Sequence, residues 1–272
     1  MGEDGGERKN GFMKGALSKC RQADRILPAL TVVVIIALWE WVVRIFSISP
    51  GVLPPPSRVA AALWGLAKSG VLFDYTVASL FRVTWGYFLA VAAAVPIGMF
   101  LGLWPLGRAV FNPIIQFLRP ISPLAWIPLA ILWLGIGDKP AVFLIFLAVF
   151  FPMLVCVMGS VAGIKVTYFR IAQNFGLTGY RLYTKVVLPA ALPEIVVGLR
   201  ITLGTAWLVI VAAEMIAVKS GLGYLIVDAR NSLRMDRVIG GMVVIGIIGL
   251  ALDRIIRRLE TLPSVRWKRM QR

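Results

Sequence analysis

The 272-residue sequence contains no histidine. That removes the most frequent general base, the commonest zinc ligand and the side chain that titrates near neutrality. Only two cysteines are present: Cys20 in a basic N-terminal segment and Cys156 inside an apolar run. Neither a structural disulfide nor a thiolate metal site is expected from that placement. Charge is scarce at 15% of residues, where a soluble domain carries about 25%. Acids are scarcer still, 13 against 29 Lys and Arg, for a formal net charge of +16. No Gly-Lys pair occurs anywhere, so the phosphate-cradling loop G-x-x-x-x-G-K-[ST] is absent and the chain is not expected to hold ATP itself. No paired carboxylates or nucleophile–base pair stand out, so no enzymatic activity, catalytic residue, metal or cofactor is expected.

What is abundant is apolar surface: 59% hydrophobic residues and a mean hydropathy of +0.83. That is too much to leave unburied in a disordered chain. Few stretches are polar enough to present a basic face to nucleic acid. The composition points to an all-α integral membrane protein. Hydropathy predicts six spans, at about 26–46, 76–104, 110–136, 140–164, 191–217 and 237–256. The first reaches about 31 Å as a helix, one hydrocarbon core. Three prolines, Pro120, Pro123 and Pro128, predict a bend or break in the third.

The basic residues are unevenly placed. Six lie ahead of the first span, from Arg8 to Arg25, and seven lie between Arg254 and Arg272. With Arg108 and the basic residues of 165–190, eighteen of 29 fall on one side. The positive-inside rule then puts both termini in the cytoplasm, in contact with anionic lipid headgroups. The expected organisation is a basic N-terminal segment (1–25), a six-span domain (26–256) and a basic tail (257–272). The external 47–75 segment is expected to hold a stiff Gly51–Pro56 piece, then a short interfacial helix capped by Ser57, ended by Gly70 and anchored by Trp64.

The sharpest pattern is cytoplasmic, at about 165–190. Gly176 fits the left-handed stop of one short helix. Thr178 can cap a second, carrying Tyr180, Arg181, Tyr183 and Lys185. Leu188-Pro189 then breaks it and opens the next span. The product is a helix–turn–helix on the inner membrane face, offering aromatic and basic groups to another protein.

The spacing of Arg170-Ile171-Ala172, Gly176 and Val186-Val187-Leu188-Pro189 resembles the signature loop of binding-protein-dependent ABC importer permeases: Glu-Ala-Ala, three residues, Gly, nine residues, Ile-x-Leu-Pro. Ala172, Gly176, Leu188 and Pro189 match; Arg170 stands where the pattern has Glu, and Ile171 where it has Ala. The stretches 117–137, 188–215 and 220–254 resemble the nitrate/sulfonate/taurine/bicarbonate group of these permeases. The resemblance implies a type I importer fold in the cytoplasmic (inner) membrane. Its implied partners are a second copy of the chain, two cytoplasmic ATPase subunits that bind ATP and Mg, and an external solute-binding protein. It makes Arg170, Ala172, Gly176, Tyr180, Arg181, Tyr183, Lys185, Leu188 and Pro189 the ATPase-coupling loop, and implies a small anion as solute. Alternatives are another small solute or a stand-alone secondary transporter.

Four residues inside the spans are candidates for the translocation path. Arg119 sits in the proline-rich third span, where an intramembrane charge either faces a path and attracts an oxyanion or pairs between helices. Glu214 is expected on the path or in a structural ion pair, with Arg82 or a basic residue of 219–237 as its partner. Trp126 and Trp207 either line a pore or pack in the core. Gly98–Gly102 and Gly159–Gly163 have spacings that allow close helix approach.

Overall fold

A computed structural model describes residue 27 and residues 30–260; the basic segment 1–25, Cys20 and residues 261–272 of the tail lie outside the described residues. The described residues are helical, with no strand among them. The helices are α1 (30–45), α2 (Pro56–Lys68), α3 (Val71–Leu103), α4 (Pro105–Leu118), α5 (Ile127–Leu134), α6 (Asp138–Ala162), α7 (Val166–Asn174), α8 (Gly179–Leu182), α9 (Leu188–Ala217), α10 (Leu222–Asn231) and α11 (Met235–Glu260). A 3₁₀ turn, Pro123–Trp126, joins α4 to α5, and a π turn, Tyr183–Val187, joins α8 to α9.

Four helices among the described residues are long and apolar enough to cross a membrane: α3, α6, the continuous run from α8 through α9, and α11. The expected third span is not one straight helix. α4 and the Pro123–Leu134 segment meet at 81°, because prolines at 120, 123 and 128 remove three helix donors. The expected first span is helical over 30–45, with residues 26, 28 and 29 outside the described set. The second begins five residues early, at Val71, because Gly70 with φ +78 ends the short α2 and starts α3 at once.

α6 forms the centre. It is apolar on every face, as a helix surrounded by others must be, and Leu144, Ile145, Val149, Met153 and Val157 are fully buried. α3 runs parallel to it at a constant offset. A Cβ on Gly86, Gly98 or Gly102 would lie 2.7–2.9 Å from the Cβ of Ile145, Val157 or Val161. Lipid tails are as apolar as the helices, so association depends on such close packing rather than on expelling water. Gly98 and Gly102 therefore pack within the chain as expected. Gly159 does not; nothing lies within 4 Å of its added Cβ. α9 runs antiparallel to α6, and α11 antiparallel to α9, with Trp207 Nε1 donating to Ile245 O (3.0 Å) and Arg200 Nε to Asp253 Oδ1 (2.8 Å).

α2 departs from the expected cap. Ser57 does not cap its own helix; the N-cap residue is Pro55. Glu40 of α1 takes that role from outside. Its Oε2 accepts from Ser57 N–H (3.1 Å) and its Oε1 from Ser57 Oγ (2.9 Å), while Arg44 pairs with the same carboxylate at 2.6 Å. A carboxylate at a helix N-terminus satisfies donors that lack partners inside the helix. Trp64 is exposed as expected, with Lys68 Nζ over its ring at 5.2 Å.

Candidate coupling surface and buried polar node

The 166–187 segment caps the end of the bundle where α6 stops. α7 ends on Gly176 (φ +67): Leu177 N–H donates to Ala172 O and Gly176 N–H to Gln173 O, both 2.9 Å. This double closure requires a left-handed residue after the helix, which glycine adopts without strain. A second left-handed glycine, Gly179 (φ +53), starts α8. Its signal in the sequence is a second glycine three residues past the first. Thr178 occupies the N-cap position of α8 with no side-chain cap bond. Leu188-Pro189 does not break the helix either. The π turn lets the chain pass Pro189 in helical conformation, so α8 and α9 form one 39-residue run from Gly179 to Ala217. Proline lacks an N–H and displaces the carbonyl one turn back, and a wider turn accommodates both.

One face of this segment is anchored. Ala172 and Val187 are buried, and Tyr183 Oη donates to Met99 Sδ of α3 at 3.1 Å. The other face is free. Phe175 and Tyr180 are 79% and 81% exposed, and Arg170, Arg181, Lys185 and Pro189 are exposed beside them. Leu188 is half-buried at the start of α9. Phe175 did not stand out in the sequence; its signal was an aromatic residue directly before the helix-stopping glycine.

At the opposite end of the bundle lies a buried polar node. Glu214 of α9 is fully buried, and Arg82 of α3 is 2% exposed. Arg82 Nη1 donates to Glu214 Oε1 at 2.6 Å and to Ser220 O at 2.9 Å. Its Nε reaches Asp138 Oδ1 of α6 at 2.7 Å, and its Nη2 also bonds Ser220 Oγ. Ser79 Oγ lies 2.8 and 2.9 Å from the two Glu214 oxygens. α10 begins on this node. Leu222 N–H donates to Ser79 Oγ and Gly223 N–H to Glu214 Oε2, both 2.9 Å. The N-cap residue of α10, Gly221 (φ +103), has no side chain, and a Cβ there would collide with the Glu214 carboxylate. Glu214 and Ser79 thus supply from neighbouring helices the acceptors that a capping side chain otherwise provides.

The four path candidates are not brought together. Glu214 is held in the node, and Trp207 is 6% exposed between α9 and α11. Trp126 is half-buried at the end of the 3₁₀ turn. Arg119 is exposed at the end of α4, beside the break, with no carboxylate in ion-pair range among the described residues. No cluster of three metal-ligating side chains occurs among the described residues.

These features can be set beside known proteins. The chain is 38% identical over 201 residues to the taurine transport system permease protein TauC of Escherichia coli K12, covering 72% of this chain and 73% of that one. It is 34% identical to the bicarbonate transport system permease protein CmpB of a Synechocystis species, over 76% of this chain and 77% of that one. Among solved structures, the fold is similar to a chain of the MetNI methionine ABC transporter in an inward-facing conformation, with a TM-score of 0.56 at 20% identity, covering 71% of this chain and 97% of that one. Residues 94–263 match the family of binding-protein-dependent transport system inner membrane components. The chain belongs to that family and is the permease component of an ABC transporter.

Proposed function

We propose that two copies of this chain form the membrane path of an ATP-driven importer for a small oxyanion such as taurine or another sulfonate, bicarbonate or nitrate. Two cytoplasmic ATPase subunits dock on the 166–187 segment, and a solute-binding protein delivers the solute at the end that carries the Glu214 node. ATP and Mg belong to the ATPases, and this chain contributes motion and a path. The observation that carries the reading is the segment's division into an anchored and a free face. Phe175, Tyr180, Arg170, Arg181 and Lys185 are presented outward, while Ala172, Tyr183 and Val187 hold the segment to the bundle. Because α8 runs into α9 without a break, a push on the free face turns a membrane-length helix, and the permease swings between inward-open and outward-open states. Arg170, where the resembling pattern has an acid, fits an ATPase surface that offers acceptors rather than cations. Arg119, exposed at the broken pair, is the path residue that meets the anion. The basic segments 1–25 and 257–272 lie in the cytoplasm on this reading.

The test is ATP-dependent uptake by the complete complex in proteoliposomes, with taurine, bicarbonate, nitrate and methionine offered in turn. An oxyanion is expected to be taken up and methionine not. Phe175→Ala with Tyr180→Ala is expected to lower uptake about tenfold or more, since exposed aromatic anchors carry much of the energy of such contacts. Arg119→Gln should lower anion uptake while the complex still assembles. Full uptake in the aromatic double variant would remove the docking role.

A further inference from the structure

Two cavities meet end to end along the seam between α3 and α6, sharing Phe81 and Asp138 as lining residues. The first encloses about 480 Å³ and is walled by Phe81, Trp85 and Leu89 of α3 and by Val142, Phe143 and Phe146 of α6. Its size and apolar walls are those of a small-molecule site. The second encloses about 330 Å³ and reaches Phe73, Asp74, Asp138 and Ser220. One cleft thus has a greasy half and a polar half.

The two halves are stacked along the membrane normal. Gly86 faces Ile145, so Ser79 of α3 is level with Asp138 at the start of α6. The polar half extends from there toward the first turn of α3, where Asp74 stands. The apolar half extends the other way and stops at Leu89 and Phe146, short of Phe150 at the middle of α6. From Phe73 to Leu89 the cleft follows about 24 Å of helix. One leaflet with its headgroup region is about 20–23 Å deep, half of the whole bilayer. A transmembrane helix of a second copy would need a groove across the full depth, and this one ends halfway. The charges at the polar end narrow the occupant further. Arg82 lines the cleft, but all five of its N–H groups are engaged with Glu214, Asp138 and Ser220. Asp74 and Lys139 are exposed, and neither has an ion-pair partner among the described residues. The cleft therefore offers one free anion, outermost, and one free cation where its halves join.

The geometry points to a binding site for one zwitterionic aminophospholipid of the phosphatidylethanolamine class. Lys139 meets its phosphate, Asp74 receives its ammonium, and one acyl chain lies among Phe81, Trp85, Phe143 and Phe146. An anionic headgroup would satisfy Lys139 but leave Asp74 facing like charge, so the pair of free charges selects a zwitterion. Such a lipid has the three parts of the cleft in the same order: ammonium, phosphate, chain. The headgroup also covers Asp138, whose side chain is 58% exposed although it pairs with the buried Arg82 at 2.7 Å. Shielding that pair from water strengthens it, and a lipid that binds only the folded chain stabilises it by mass action. On the importer reading the site lies in the outer leaflet.

The test is native mass spectrometry of the full-length chain, purified in detergent with the subunits that accompany it. Dioleoylphosphatidylethanolamine, dioleoylphosphatidylglycerol and dioleoylglycerol are titrated in turn. Wild type is expected to retain the ethanolamine lipid about fivefold more tightly than the glycerol phospholipid, the effect of one exposed ion pair. Asp74→Asn should erase that preference. Lys139→Gln should bring both phospholipids down to the level of dioleoylglycerol, and Trp85→Ala should weaken all three. Both charge variants should melt like wild type in lipid-free detergent, because both side chains are exposed. Equal retention of the two phospholipids by wild type overturns the inference, as does an unchanged preference in Asp74→Asn. A lower melting temperature of either charge variant overturns it by making that charge structural. Separation of two permease copies in Trp85→Ala overturns it by giving the cleft to the second copy. The titration reads binding and not transport, so it succeeds or fails independently of the importer reading.

Discussion

Glu214 is fully buried among apolar helices, yet its oxygens meet donors from Arg82, Ser79 and Gly223. A buried ion pair adds little net stability over an apolar pair of the same size, but losing one partner strands the other. Glu214→Ala leaves Arg82 with Asp138 as its one carboxylate partner and Gly223 N–H without the acceptor it has now, and is expected to cost about 3–5 kcal/mol. It should appear as a large drop in the melting temperature of the purified protein in detergent. Glu214→Gln keeps an acceptor and should lose less. Arg82→Met combined with Glu214→Leu should melt above either Glu214→Ala or Arg82→Met alone, and a double variant as unstable as the two losses added would show that the charge pair is not what matters. Legibility at this scale was partial. An acid inside an apolar span is conspicuous, and the sequence allowed Arg82 or a basic residue of 219–237 as its partner. Ser79, Asp138, Ser220 and Gly223 were not visible, because only packing brings residues 79, 138 and 220 to one point. Ser57 shows the same limit. Its type fits a helix cap, but the carboxylate that does the capping comes from Glu40, seventeen residues away.

At the scale of the element, apolar length and glycine placement decide how helices meet. Gly86, Gly98 and Gly102 recur along α3 at the points where α6 comes closest. Gly102→Ala places a carbon 2.7 Å from Val161 Cβ, so the two helices must separate, at a cost of about 1–3 kcal/mol. Gly159→Ala meets nothing within 4 Å and should be neutral or slightly stabilising, since alanine favours helix. Melting curves of the two variants side by side check this, and equal destabilisation would refute the packing argument. From the sequence both GxxxG pairs looked alike. The pattern records which glycines share a helix face but not whether a neighbour covers that face. The 166–187 segment was legible in its stop at Gly176, because left-handed closure has a residue preference. It was misread at Leu188-Pro189, because a proline inside a run normally ends it, and the π turn that absorbs it has no comparable sequence signature.

For the whole molecule, the charge distribution and the helix connectivity must agree on one orientation. Lys185 precedes α9 and Asn231 follows it by way of α10, so a membrane-length helix separates them, and both are exposed. By the positive-inside rule, the concentration of basic residues at 1–25, 165–190 and 254–272 predicts that the Lys185 end faces the cytoplasm. On the importer reading proposed above, that end meets the ATPases at Phe175 and Tyr180. Single cysteines at the two positions test it directly. In a background carrying Cys20→Ser and Cys156→Ser, Asn231→Cys should react with a membrane-impermeant maleimide on spheroplasts, whose outer face is open to the reagent. Lys185→Cys should react only after the membrane is permeabilised. The short side chain at 185 remains exposed, so protection there would reflect the bilayer rather than the fold. The reverse pattern would place the free face of 166–187 outside, where no ATPase could reach it. The net charge of +16 would then need an origin other than topology.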